Sequence, residues 1–124
     1  MEITSNYHIT NEDMAMELQW VNEAKADPTK FERLYNKYHE GIFRFVYQRL
    51  DDKNYAFDIT SQVFLNALNH LHKYEFRGVP FASWLYRIAS NELNQLFRKN
   101  KTQRTINIDS VQINEMIDQM EEDK

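Results

Sequence analysis

The sequence predicts an all-α fold: a compact bundle of about four helices followed by a flexible acidic C-terminal tail. Three observations carry that expectation. With 124 residues the chain is sized for one domain and one core. Apolar residues make up 42% and aromatics 14%, too many for a disordered chain. Only two Gly and two Pro are present, little material for the tight turns of a sandwich or barrel.

The first helix is expected from Thr10-Asn11-Glu12-Asp13, where Thr10 and Asp13 have capping-box spacing and the early acids suit the helix dipole. Met14, Leu18 and Val21 follow at helical spacing. Asp27-Pro28 restarts the helix, with Asp as N-cap and Pro at the first helical position. The second helix carries Phe31, Leu34, Tyr35, Tyr38, Ile42, Phe45, Val46 and Leu50 at steps of three and four.

Asp51-Asp52-Lys53-Asn54 is a polar break. A third helix then groups Ala56, Ile59, Val63, Phe64, Ala67, Leu68 and Leu71 on one arc. Tyr74 to Pro80 reads as a loop, because Gly78 and Pro80 stop helix. The fourth helix runs from about Phe81 to about Asn100. Beyond Arg104, Ile113, Met116, Ile117 and Met120 are compatible with a short helix, but the acidic composition favours an extended linker or tail over residues 105–124.

Composition also excludes. Without Cys there is no disulfide scaffold, Cys-based zinc site or thiol nucleophile. The first residues lack the basic and apolar stretches of a signal peptide, and no apolar run approaches a membrane span. A soluble, cytoplasmic protein that avoids membranes is expected. Of the four His, His70 and His72 stand two apart on nearly opposite helix faces and cannot chelate together. No phosphate cradle or nucleophile elbow occurs, so no catalytic residue, metal or cofactor is expected.

The net charge of −4 hides an asymmetry: residues 61–104 hold seven basic and two acidic side chains, between acidic ends. On the fourth helix Phe81, Leu85, Ile88, Ala89, Leu93 and Leu96 fill one side. Ser83, Arg87, Asn91, Asn94, Arg98 and Lys101 fall on the other, a stripe without an acid. Asn presents a donor and an acceptor together to adenine, while Arg and Lys suit guanine or phosphate. Glu92 is out of place inside the apolar arc, at the core edge or facing a partner.

In the preceding loop, Tyr74, Phe76 and Arg77 stand beside Gly78. Two readings fit: a stacking platform for unpaired bases, or aromatics that cap the core. The third helix has a polar stripe of Asp58, Gln62, Asn66 and Asn69 edged by Leu65. It reads equally as solvent surface or as a docking face with one apolar anchor.

Two strings carry a family resemblance. Asp58-Ile59-Thr60-Ser61-Gln62-Val63-Phe64-Leu65-Asn66-Ala67-Leu68 is followed by Phe76-Arg77-Gly78 and then by Pro80-Phe81-Ala82-Ser83-Trp84-Leu85-Tyr86-Arg87-Ile88-Ala89-Ser90-Asn91. Together they resemble region two of bacterial sigma factors of the extracytoplasmic-function group, from about Phe31 to Arg104. The resemblance implies a helical domain that docks on the β′ clamp helices of core RNA polymerase. It also implies recognition and melting of the promoter minus-ten element, with capture of an unpaired base of the non-template strand.

Carried over by position, Asp58, Gln62, Leu65 and Asn66 would face the polymerase. Phe76, Arg77 and Gly78 would shape the base pocket, with Tyr74 beside them. Ser83, Arg87, Asn91, Asn94 and Arg98 would lie on promoter DNA, with Lys99 and Lys101 on phosphates. An anti-sigma factor is a further partner that such membership allows. Ser61-Gln62, Ser90 and Gln95 depart from the usual residues of the group. The resemblance covers no helix-turn-helix second domain, which fits either one domain of a longer protein or a natural one-domain relative, with the first the expectation. A helical protein-interaction module that never touches DNA is the alternative.

Overall fold

The computed structural model describes residues 11–100 and 110–122. Among them every regular element is helical: α1 (Asn11–Ala26), α2 (Glu32–Leu50), α3 (Lys53–Asn69), α4 (Phe81–Lys99) and α5 (Ser110–Glu122), with 3₁₀ turns at Pro28–Phe31 and Leu71–Lys73. None is long and apolar enough to cross a membrane.

The expected punctuation sets the helix ends. Asp27 caps the first 3₁₀ turn, its carboxylate accepting the Thr29 N–H at 3.1 Å with Pro28 at the first position. Asp51 closes α2 at φ 55°, a left-handed conformation that Asp tolerates better than most residues. Asp52 is extended and accepts the Tyr55 N–H at 3.0 Å to start α3. The two aspartates fold α2 and α3 into an antiparallel pair.

α4 packs against both α2 and α3, and α1 lies across α2. The core joins Leu34, Tyr38, Ile42, Phe45 and Val46 of α2 to Val63 and Phe64 of α3 and Leu85, Tyr86 and Leu93 of α4. Ala56, Ala67, Ala82 and Ala89 are fully buried, and their small side chains let the helices approach closely. The buried arc of α4 is wider than its sequence pattern, because Ala82, Ser83, Tyr86, Ser90 and Phe97 are buried as well.

The C-terminal expectation needs correction. Residues 110–122 are helix, not a flexible tail, and α5 lies on α4 with Ile113 and Ile117 buried in the common core and Met116 packed against it. Two isoleucines four apart give a short helix enough burial to offset its ordering.

α1 joins the bundle through Val21 and Ala24, buried in the common core with Met14 and Trp20 packed against it, and through one buried polar contact. Glu17 lies in the same arc as Met14, Leu18 and Val21 and is only 3% exposed. Its carboxylate accepts from Lys37 Nζ at 3.0 Å, from the Tyr38 hydroxyl, and from the Phe81 backbone N–H at 2.9 Å. A charge this deeply buried is retained only where several donors meet it.

Candidate functional site

The loop from Tyr74 to Pro80 and the first two turns of α4 enclose a cleft of about 350 Å³. Tyr74, Glu75, Arg77, Val79, Pro80, Ser83, Trp84 and Arg87 line it. Four of these, Tyr74, Arg77, Ser83 and Arg87, are residues the sequence marks for DNA, so the fold brings together parts of the chain on both sides of Gly78. Gly78 turns the loop at φ +78°, a left-handed conformation that favours glycine.

Two aromatics, Tyr74 and Trp84, line one side of the cleft, with Phe81 packed against both. Tyr74, Phe81 and Trp84 form a triangle with ring centroids 5.0, 5.1 and 5.4 Å apart. Tyr74 is only 8% exposed, so of the two readings for this residue the core one holds. Burial, helped by the charge of Glu17, pushes its hydroxyl up to about 12. It forms part of the cleft's wall and is no free stacking platform. Ser83, also 8% exposed, is likewise recessed from the open face, because the loop folds back over the first turn of α4.

Phe76, Arg77 and Gly78 are exposed at the loop's outer edge, and the Arg77 guanidinium lies 3.7 Å from the Glu75 carboxylate. Phe76 is 42% exposed although it is a large aromatic, as a stacking residue needs to be. Along α4, Arg87, Asn91, Arg98 and Lys99 are exposed and Asn94 is half-buried. Lys101 lies outside the described residues. The exposed cations and amide leave the cleft along one helix face.

On α3, Asp58, Gln62 and Leu65 are exposed, Leu65 at 51%. Asn66 differs: it is half-buried and donates to the Glu92 carboxylate of α4, while its Oδ1 accepts Gln62 Nε2 at 3.1 Å. The same contact accounts for Glu92, whose place in the apolar arc is the edge of the α3–α4 seam. Asn66 is therefore tied into the seam and only half-exposed on that face.

A further feature of this surface escaped the sequence reading. Tyr35, His39, Phe43 and Tyr47 recur every four residues and run about 18 Å along α2. They form ring contacts with one another and across to α3. Tyr35 meets Phe64 at 4.9 Å, Phe43 stacks on Phe57 at 4.6 Å, and Tyr47 stacks on Phe43 at 5.6 Å. Tyr47 and Phe57 stay exposed, giving the face beside Asp58 and Leu65 more apolar anchors than Leu65 alone. The four-residue aromatic spacing was visible in the sequence but merges there with the core pattern of α2.

Among the described residues no group of three His, Cys, Asp or Glu side chains is placed to hold a metal ion.

A helical bundle with a cationic helix face, a cleft with aromatics on one side at its start and a partly apolar neighbouring face is a binding domain in shape and chemistry. Residues 34–103, more than half of the chain, match the family described as Sigma-70 region 2, and the chain belongs to this family, in its extracytoplasmic-function (ECF) group. It is 33% identical over 90 residues to the ECF RNA polymerase sigma factor BldN of Streptomyces coelicolor, covering 72% of this chain and 34% of the relative. To SigX of Bacillus subtilis it is 34% identical over 74 residues, 60% of this chain and 38% of that protein. To SigM of the same organism it is 30% identical over 80 residues, 64% and 48% respectively. The chain thus spans between a third and a half of the length of these relatives. No solved structure matches it.

Proposed function

We propose that this chain is the part of a transcription initiation factor that binds core RNA polymerase and recognises the promoter minus-ten element. One observation carries the reading: the cleft lined by Arg77 and Arg87 opens directly onto the exposed Arg87–Asn91–Arg98 face of α4. An unpaired base enters the cleft beside Phe76 and Arg77. The flanking strand follows α4, where Arg87, Asn91 and Arg98 meet base edges and phosphates and Lys99 and Lys101 meet phosphates. Unpairing costs a few kcal/mol, which stacking at about 1–3 kcal/mol per base offsets.

The polymerase side is α3, with Asp58, Gln62 and Leu65 outward and Phe57 and Tyr47 beside them. Its partner in this reading is the β′ clamp helices. The domain performs no chemistry of its own, works in the cytoplasm where polymerase is, and presents surfaces that an anti-sigma factor would cover to silence it. Co-elution with core RNA polymerase on gel filtration tests the docking half; a chain that elutes alone beside competent polymerase overturns it.

A further inference from the structure

α1 precedes the matched span, which begins at residue 34. Yet two of its side chains hold the two ends of the Tyr74–Pro80 loop. At the start, Lys25 Nζ donates to the Tyr74 carbonyl at 2.7 Å. At the end, Glu17 Oε1 accepts the Phe81 N–H at 2.9 Å. Glu17 and Lys25 are eight residues apart, close to two helical turns, so both reach the loop from one side of α1.

Each anchor fills a gap that the loop cannot fill locally. Phe81 is the first residue of α4, and Pro80 before it has no side chain able to accept the free N–H groups of that turn. The Glu17 carboxylate takes that place, at a helix end whose dipole favours an anion. Tyr74 ends a 3₁₀ turn in extended conformation, with its carbonyl directed to Lys25. Between the anchors Glu75, Phe76, Arg77, Gly78 and Val79 are all exposed.

We propose that Glu17 and Lys25 are positioning residues that hold the Tyr74–Pro80 loop ready for an unpaired base, so that α1 sets the affinity of the cleft for single-stranded promoter DNA. The inference rests on the base-capture reading above. A loop fixed before binding avoids the ordering cost that a loose one incurs when the strand arrives. Lys25 is itself exposed, so its removal loosens the loop without opening the core.

The test uses the full chain with Lys25→Met and Lys25→Arg, the second keeping a cationic donor. Hydrogen exchange is followed in the 75–81 segment and in α2. In parallel, anisotropy reads a labelled non-template minus-ten oligonucleotide bound to the chain with core polymerase. Lys25→Met is expected to speed exchange in 75–81 and leave α2 unchanged. It should also weaken the oligonucleotide about fivefold, with Lys25→Arg restoring most of both. Unchanged exchange in 75–81 overturns the brace whatever the oligonucleotide does. Faster exchange with undiminished affinity overturns its role in capture. A wild-type complex that ignores the oligonucleotide overturns base capture and this proposal together, and shows itself before any variant is compared.

Discussion

Phe43 and Phe57 stack across the α2–α3 seam at 4.6 Å with their planes 26° apart. Phe57 nevertheless keeps 44% of its surface in solvent, next in line to Asp58 and Leu65. An aromatic fixed from behind and bare in front is a ready anchor for a protein partner, since little side-chain entropy remains to be lost.

Docking on polymerase should therefore depend on this edge. Phe57→Ala and Leu65→Asp are each expected to weaken binding to core polymerase by about tenfold or more. Leu65→Asp should leave the melting temperature nearly unchanged, whereas Phe57→Ala, which also loses the stack on Phe43, should lower it by a few degrees with the helix content kept. Titration of labelled chain with polymerase measures the affinity and circular dichroism the melting. Equal affinity in both variants would move the docking face elsewhere.

A second prediction concerns the core. Thr60 is fully buried, and its hydroxyl has no hydrogen-bond partner. Thr60→Val replaces that hydroxyl with a methyl of similar size and removes the desolvation cost. It should stabilise the fold by about 1 kcal/mol in chemical denaturation. A loss of stability would mean that the hydroxyl is satisfied.

The third tests the last helix. Ile117 is buried against the common core, so Ile117→Ala should cost about 2–5 kcal/mol. A tail would give no change, and an unaltered denaturation midpoint would count against the packing of α5.

The fourth is a pH dependence. The Tyr74 hydroxyl ionises near 10 in the unfolded chain and near 12 in the fold, because burial and the Glu17 charge disfavour the phenolate. The unfolded chain thus releases its proton first. The contribution of this group to stability is complete below about pH 10 and is lost as pH rises toward about 12. Burial pushes Tyr86 the same way, so Tyr74→Phe should lessen the alkaline fall in melting temperature without abolishing it. An identical alkaline profile in the variant would contradict the assignment.

These outcomes divide along what a linear sequence can carry. Asp27-Pro28, Asp51-Asp52 and Pro80 act on their immediate neighbours, and the boundaries beside them are observed. Lys53 and Asn54, however, already belong to α3, and that helix ends at Asn69, with Leu71 in a separate 3₁₀ turn rather than on the helix as expected. Arg87, Asn91 and Arg98 were legible because an acid-free stripe at helical spacing has to emerge on one side of a helix. Tyr74 and Ser83 were not, since their burial depends on how the loop folds back. Glu17, unlike Glu92, was not marked in the sequence, because its partners Lys37, Tyr38 and Phe81 come from two other helices. α5 was obscured by its acids, because two buried isoleucines decide its fate and nothing local shows that α4 offers them a surface.

The central claim is that the cleft and the α4 face together bind the melted minus-ten strand. Anisotropy of a labelled non-template oligonucleotide, titrated with this chain and core polymerase, tests it most directly. Polymerase alone and a scrambled strand are the controls. Sequence-dependent binding that requires the chain and falls about tenfold in both Phe76→Ala and Asn91→Ala is the predicted result. Binding that is indifferent to sequence, or unchanged in both variants, would contradict the account and leave a helical protein-interaction module in its place.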